Sequence, residues 1–544
     1  MKTYIGKGIY RSVAFGKVAV FKRQPVSVKR VYIQDKEAEK ARVAEAERKA
    51  LEQLQDIYEK ALKDVGKTDA EIFKIHMMMI KDDDYNELIT NIIESENVNA
   101  EYAVSLTSDN FAEIFNGMKD SYMQARAEDV KDISHRIIAN LSGKAEHIPD
   151  PWEKVVICAD ELTPSETVLL DKNKIIAFVI AHGSSYSHAA ILAGNMSIPA
   201  VVGVGGEFID QIVDGSEIIV DGFTGEVFVD PDKETVARLS EKQRLFEEEK
   251  TFLQDLKGKR NVTVDGREIN IFANIGSAEE VNASLANDAG GIGLLRSEFL
   301  YMGDKTLPTE EQQYTVYKNI LEGMGGRHVV IRTFDIGADK QVRYFDHKYE
   351  ENPAMGLRGI RIALSCPDIF KTQLRALYRA SVYGSLGILF PMIASASELE
   401  KVLGICEEVK SELRAQGMVF SESVEVGVMI ETPAAAIISD RLAPMVDFFS
   451  IGTNDLIQYT LACDRQNSEV EQFIDTHHEA VLRLIEMSVV NAHKCGIHVG
   501  ICGELAADSE LTEAFLRMGI DELSVSPASV LRMRNVVRAI DLSK

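Results

Sequence analysis

The sequence predicts an α/β protein of several domains: an N-terminal α/β unit interrupted by a helical block, a connecting helix and a C-terminal (β/α)8 barrel. Three observations carry this prediction. Beyond residue 259, eight short β-branched runs alternate with helical patterns, at 269–274, 291–295, 328–332, 386–391, 425–430, 447–452, 497–502 and 522–526. A closed barrel of parallel strands requires eight such strand-then-helix units. Residues 35–145 show apolar residues at three- and four-residue steps without any strand-like run, between flanks that do carry such runs. Residues 231–258 form a charged stretch with an apolar seam.

Taken in order, the first strand-like run is Val18–Phe21. The helical block opens with Leu51, Leu54, Tyr58, Leu62 and Val65 among Glu, Lys and Gln, and Gly66 ends that helix. Helical periodicity resumes from Ile72 to Ile93 and again from Tyr102 to Leu141. Apolar runs return at Val155–Ile157, Ile175–Ile180, Ala200–Val204 and Glu217–Val220, so the helices read as an insertion into an α/β unit. Val236, Leu239, Phe246 and Leu253 fall at near-heptad steps, with Lys257 and Lys259 late, which predicts one long helix. The expected domains are therefore 1–34 with 146–230, the helical insertion 35–145, a linker helix 231–258 and the barrel 259–544.

Bulk properties narrow the function. Sixty basic against 85 acidic residues give a formal charge of −25, which argues against general affinity for nucleic acid or an anionic membrane. An anionic substrate then needs a locally basic pocket. Six cysteines without a C-x-x-C pair suit reduced thiols in the cytoplasm. The start MKTYIGKGIY has no apolar signal region, and no apolar run reaches the length of a membrane span.

In such barrels the chemistry sits where the strands end. Here the second run leads to Arg296, the third to Arg332 and Asp335, the fifth to Glu431, the sixth to Asn454 and Asp455, and the seventh to Cys502 and Glu504. Any one of these arginines alone reads as a surface or salt-bridge residue, and a lone barrel cysteine as a small buried hydrophobe. Five strands delivering complementary groups to one face weaken that reading. Glu431 and Asp455 would hold a hard cation such as Mg²⁺ beside a phosphate ligand. Arg296 and Arg332 can grip phosphate or carboxylate oxygens in pairs, and Lys340, Arg358 and Arg465 add positive charge. Such a cage suits phosphoryl transfer, where charge placement does most of the catalysis.

Upstream, AHGSSYSHAAILAGNMSIPAVVG combines a small-residue loop, His188 and an apolar run that starts a helix. A histidine there can accept phosphate, because backbone N–H groups at a helix start favour a phosphorylated imidazole. A histidine in a serine-rich loop can equally be a merely solvated side chain. The barrel shifts the balance, since its residues include no nucleophile apart from Cys502.

With these motifs in view, the chain resembles the phosphotransferase-system enzyme I family over nearly its whole length. Gly183, Ser187, His188, Ile191, Leu192 and Ala193 are similar to the family's phosphohistidine signature, and GIGLLRSEFLYM, RTFDIGADK, NPAMGLRGIR, FPMI, FFSIGTNDLIQYTLACDR and GICGELA to its barrel motifs. The resemblance implies that His188 is phosphorylated through Nε2 and that Thr167, last residue of TPSET, hydrogen-bonds it. It further implies that Arg296, Arg332 and Arg465 bind phosphoenolpyruvate, that Asn454 contacts its phosphate, that Glu431 and Asp455 hold Mg²⁺, and that Cys502 protonates the enolate carbon. EIFKIHMMMIKDDD (Glu71–Asp84) and ARAEDVKDISHRI (Ala125–Ile137) resemble the family's carrier-binding subdomain, which implies a small histidine phosphocarrier protein as partner. A homodimer through the barrel is implied in the same way.

The match has gaps. Ser184 replaces the second glycine of the histidine signature and Gly194 its final arginine, which removes one charge-assisted hydrogen bond worth on the order of 1.5–3 kcal/mol. YRSVAFG (Tyr10–Gly16), CDRQN (Cys463–Asn467), the pair His478–Glu479 and GELAA (Gly503–Ala507) also depart from the family pattern. The barrel positions survive while the phosphohistidine segment is diluted. Two rivals follow: a non-catalytic regulatory paralogue, and a dikinase-like enzyme that shares the barrel and mobile histidine. The second needs a large ATP-binding domain, yet only 187 residues precede His188 and a helical block occupies much of them.

Overall fold

The computed structural model describes residues 1–21, 28–64, 67–117, 121–143, 154–183, 187–196, 198–302, 306–337, 350, 352–465 and 467–544. The chain divides into two compact units, Met1–Glu248 and Glu249–Lys544.

In the first unit, strands β1 (Lys2–Ile5), β2 (Lys7–Gly8), β3 (Val13–Phe21), β4 (Val155–Ala159), β5 (Ile175–Ile180), β6 (Ala200–Val202), β7 (Glu217–Asp221) and β8 (Glu226–Val229) form one sheet in the order β1-β8-β7-β3-β4-β5-β6-β2. The centre, β3-β4-β5-β6, is parallel. Every residue of β4 is buried, as expected of a strand covered on both faces. One face packs under Ala189, Ala190, Leu192 and Ala193, and the other under Phe208, Ile209 and Ile212.

Helices α1 (Lys36–Asp64), α2 (Lys67–Ile80), α3 (Asp83–Glu96), α4 (Ala100–Asn116) and α5 (Ser121–Ser142) lie in sequence between β3 and β4, which are neighbours in the sheet. The helices are thus inserted between two paired strands. They share a core that includes Leu54, Ile57, Phe73, Ile89, Ile93, Val104 and Ile133. The two later periodic stretches are each broken once. Asp82 caps α3 by accepting a hydrogen bond from the Tyr85 N–H at 3.1 Å, which restarts the helix where the apolar spacing alone reads straight through. Gly117 follows the last residue of α4. Gly66, expected to end α1, lies outside the described residues. Short helices α6 (Pro164–Leu169), α7 (His188–Met196) and α8 (Glu207–Gln211) follow, and then α9 (Lys233–Gln254). Early in α9, Leu239 is fully buried among Val13, Ile219 and Phe228. Lys242 pairs with the buried Asp221 at 2.6 Å.

The second unit is a closed barrel of eight parallel strands: β9 (Asn270–Ile275), β10 (Ile292–Arg296), β11 (Val329–Arg332), β12 (Leu386–Phe390), β13 (Glu425–Ile430), β14 (Phe448–Gly452), β15 (His498–Cys502) and β16 (Glu522–Val525). All eight coincide with the predicted runs to within a residue or so. Leu294, Val330, Leu389, Met429, Phe448 and Cys502, one from each of six successive strands, form a buried cluster inside it. Among the described residues no helix is long and apolar enough to cross a membrane, and all six cysteines are free thiols.

Candidate active site

The C-terminal ends of the barrel strands surround a cavity of about 740 Å³. Arg296, Arg332, Arg358, Glu431, Asn454, Asp455, Arg465 and Cys502 all line it. Arg296, Arg332 and Cys502 are the last residues of β10, β11 and β15, and Glu431 is the first beyond β13. Asn454 and Asp455 stand in the first turn of the helix Thr453–Leu461 that follows β14. Lys340 lies outside the described residues.

Charge is layered by depth. Arg332 is buried, its Nη2 donating to Glu298 Oε1 at 2.8 Å and its Nη1 lying 3.3 Å from Asp335 Oδ2. Glu298 Oε1 also accepts the Asp335 N–H at 2.7 Å. Arg358 grips Asp335 through two bonds, Nε to Oδ1 at 3.2 Å and Nη2 to Oδ2 at 2.6 Å, and its Nη1 reaches Asp455 Oδ1 at 3.5 Å and the Tyr459 hydroxyl at 3.1 Å. Burial disfavours charge on both guanidiniums, but the surrounding carboxylates outweigh it and hold both well above the ordinary arginine value. Arg296 and Arg465 differ. Both are exposed at the cavity and have no carboxylate partner among the described residues.

Glu431 is fully buried. Its Oε1 accepts the Met392 N–H at 2.5 Å, while Oε2 is buried without a partner. Burial, then Asp455 and Asp335, push this carboxyl up to about 8 against the pull of Arg332 and Arg358. Four carboxyl groups (Glu298, Asp335, Glu431, Asp455) thus lie around two buried guanidiniums, and Oε2 of Glu431 is left without a partner. That donor set fits a hard dication held by Glu431 and Asp455, with water or ligand oxygens completing its shell. Among the described residues no third His, Cys, Asp or Glu joins them as a ligand cluster.

Cys502 is 2 % exposed. Its Sγ accepts from Ser450 Oγ at 3.5 Å and donates to the Ile451 carbonyl at 3.3 Å. Burial pushes the thiol up to about 11, so it stays protonated at neutral pH although the Ser450 hydroxyl, Arg332 and Arg296 favour the thiolate. Asn454 Oδ1 accepts the Glu504 N–H at 3.1 Å, which orients the amide at the cavity edge.

The histidine segment belongs to the first unit. His188 opens α7 after β5 and a loop; its side chain and Ser184 lie outside the described residues. Thr167 is buried on α6, which is started by a reciprocal cap between Thr163 and Glu166. Gly194 is exposed, and a Cβ there would meet nothing within 4 Å, so the missing arginine is no steric requirement of this backbone.

Comparison with known proteins fits this layout. Residues 250–542 match the PEP-binding domain of PEP-utilising enzymes, 5–126 their N-terminal domain and 151–225 their mobile domain. The phosphoenolpyruvate-protein phosphotransferase of Priestia megaterium is 43% identical over 531 residues, covering 97% of this chain and 92% of that one. The chain belongs to the phosphoenolpyruvate-protein phosphotransferase family. The Bacillus subtilis (strain 168) member of the family is 41% identical over 540 residues, covering 99% of this chain and 94% of its own length. A solution structure of an Enzyme I protein is 36% identical over 45% of this chain and 99% of its own, with a TM-score of 0.40.

Residue types at strand ends pointed to most of this site, but four contributors went unassigned. Glu298 and Asp335 lie two and three residues past Arg296 and Arg332, in plain view within GIGLLRSEF and RTFD. Ser450 reads as one more small residue of β14. The Met392 N–H has no side-chain signal at all.

Proposed function

We infer that this chain is a phosphoenolpyruvate-protein phosphotransferase, which moves phosphate from phosphoenolpyruvate to Nε2 of its own His188 and then to a histidine of a small phosphocarrier protein. The observation that carries this reading is the cavity at one barrel mouth, where exposed guanidiniums, an orphaned carboxylate oxygen and a protonated thiol converge. Arg296 and Arg465 bind the substrate's phosphate and carboxylate from the open side, and Arg332 does so from below, held in place by Glu298 and Asp335. Arg358 and Lys340 add positive charge, and Asn454 donates an N–H to the phosphate. Mg²⁺, bound by Glu431 and Asp455, would neutralise charge on the phosphate oxygens. As the phosphoryl group leaves for His188, an enolate remains, and the Cys502 thiol protonates its methylene carbon to give pyruvate. Thr167 steadies the imidazole from α6.

The remaining assignments share that footing. Residues 35–145 form the carrier-docking subdomain and 259–544 the phosphoenolpyruvate-binding and dimerisation domain, joined by the helix 231–258 to the phosphohistidine domain of 1–34 and 146–230. Ile437, Met487 and Val490, exposed on neighbouring barrel helices, suit a homodimer contact. The enzyme works in the cytoplasm and starts sugar uptake and phosphorylation.

The test is steady-state pyruvate formation with Mg²⁺, phosphoenolpyruvate and a small histidine phosphocarrier protein, run in deuterated water from a chirally labelled substrate. Wild type should turn over and deliver deuterium to one face of the carbon. Cys502→Ser, a far weaker acid of similar size, should be slower by about 10²-fold or more and lose that facial preference. Wild-type rate and stereochemistry in Cys502→Ser would remove the thiol from the mechanism, and carrier-independent turnover would remove the phosphotransferase reading.

A further inference from the structure

Met392 follows Phe390 and Pro391 at the end of β12 and has a φ of +58°, in the left-handed region that side chains other than glycine rarely adopt. It is not a surface turn: the residue is 1 % exposed. Backbone strain of this kind persists only where the surroundings over-determine it, and it concentrates at functional sites. At this unusual backbone the Met392 N–H donates to Glu431 Oε1, 2.5 Å away, while Oε2 of the same carboxylate is buried without a partner.

The surroundings account for the strain. The Met392 side chain packs over Gly359, where an added Cβ would lie 3.1 Å from Met392 Cγ and 2.8 Å from Asp335 Oδ1. Gly359 itself has a φ of +53°. One residue after each special position, the chain is tied down again: the Thr432 hydroxyl, next to Glu431, donates to the carbonyl of Ile393, next to Met392, at 3.0 Å. On its far side the Glu431 carboxylate is confined by Gly452, where a Cβ would come within 3.1 Å of Oε2.

Building on the reading of Glu431 and Asp455 as the cation site, we propose that Met392 is a positioning residue acting through its main chain. Its strained N–H fixes Oε1 of Glu431, so that Oε2 alone is presented to the cation. The side chain contributes packing over Gly359 and no chemistry.

Replacing the 391–392 amide by an ester, through incorporation of the α-hydroxy analogue of methionine at position 392 of the full chain, deletes only the N–H. Mn²⁺ affinity, read from the electron paramagnetic resonance of free Mn²⁺, should weaken by about 10- to 100-fold, the range seen when a partner of a metal ligand is lost. Met392→Leu, which keeps the N–H, should bind Mn²⁺ like wild type. The strain has its own readout: Met392→Gly should melt higher than Met392→Ala by about 2–4 °C, because only glycine relaxes a left-handed backbone. An ester variant with wild-type Mn²⁺ affinity, or an alanine variant that melts above the glycine one, overturns the proposal. Wild-type protein that binds no Mn²⁺ overturns the cation site itself, which is a different result.

Discussion

The two ends of the barrel each bury a carboxyl group that is pushed up to about 8, yet only one of them resembles a site. At the C-terminal mouth Glu431 is shifted by burial and by Asp455 and Asp335, with Arg332 and Arg358 pulling the other way. At the N-terminal mouth Glu522, the first residue of β16, is shifted by burial and by Asp521 and Glu425, with no cation among its influences. Its carboxylate occupies the barrel interior, where a Cβ on Gly293 would lie 2.4 Å and one on Gly500 3.2 Å from Oε1. Nearby, His328 Nδ1 bonds Ser385 Oγ at 2.8 Å while its buried Nε2 lies 3.5 Å from Glu425 Oε2 without a hydrogen bond, and His498 stacks on Phe448 at 5.4 Å. The comparison teaches that a raised carboxyl is a consequence of burial and marks no function by itself. Function is marked by what accompanies it: guanidiniums from other strands and an open cavity.

The largest expected effect separates the two ends by activity. Glu431→Gln or Asp455→Asn should cut Mg²⁺-dependent pyruvate formation by about 10³-fold or more, because the remaining carboxylate holds a hard cation poorly. Glu522→Gln should stay within about threefold of wild type, since no reacting atom comes near it. Equal losses at both ends would mean that the mouths do not differ in role.

A smaller effect separates them by stability. The folded Glu522 carboxyl is raised from 4.5 to about 8, so the folded barrel holds this proton more tightly than the unfolded chain does. The associated stability is fully present below pH 4.5 and is lost as pH rises towards about 8. Glu522→Gln is neutral at every pH and should escape that loss, gaining on the order of a few kcal/mol over wild type at pH 8.5 and little at pH 4.5. Urea unfolding of the two proteins at both pH values checks this; a difference independent of pH would show that the buried carboxyl is not the cause.

Much of this was legible in the sequence, for reasons that differ by region. The barrel strands are short runs such as Leu386–Phe390, in which every residue is buried, so composition alone marks them. The residues just beyond them had to face the mouth once the runs were strands, which brought Arg332, Glu431, Asp455 and Cys502 together on paper as they are in space. Breaks in the helices were harder, because apolar spacing is blind to an N-cap such as Asp82. β8 was missed as a strand: Glu226–Val229 is only four residues long and is defined by its pairing with β1 and β7. Glu298 and Asp335 were visible as letters, but nothing in spacing tells a carboxylate that braces an arginine from one that faces solvent. The Met392 N–H is a main-chain group whose direction depends on the orientation of its peptide plane, and no residue pattern encodes it.

We propose that phosphate from phosphoenolpyruvate bound at the barrel mouth is loaded onto His188. Radiolabelled phosphoenolpyruvate incubated with Mg²⁺ and the full chain should leave an acid-labile, base-stable label on the protein. His188→Ala should carry none while still binding phosphoenolpyruvate at the barrel. Label at wild-type level on His188→Ala would contradict the account.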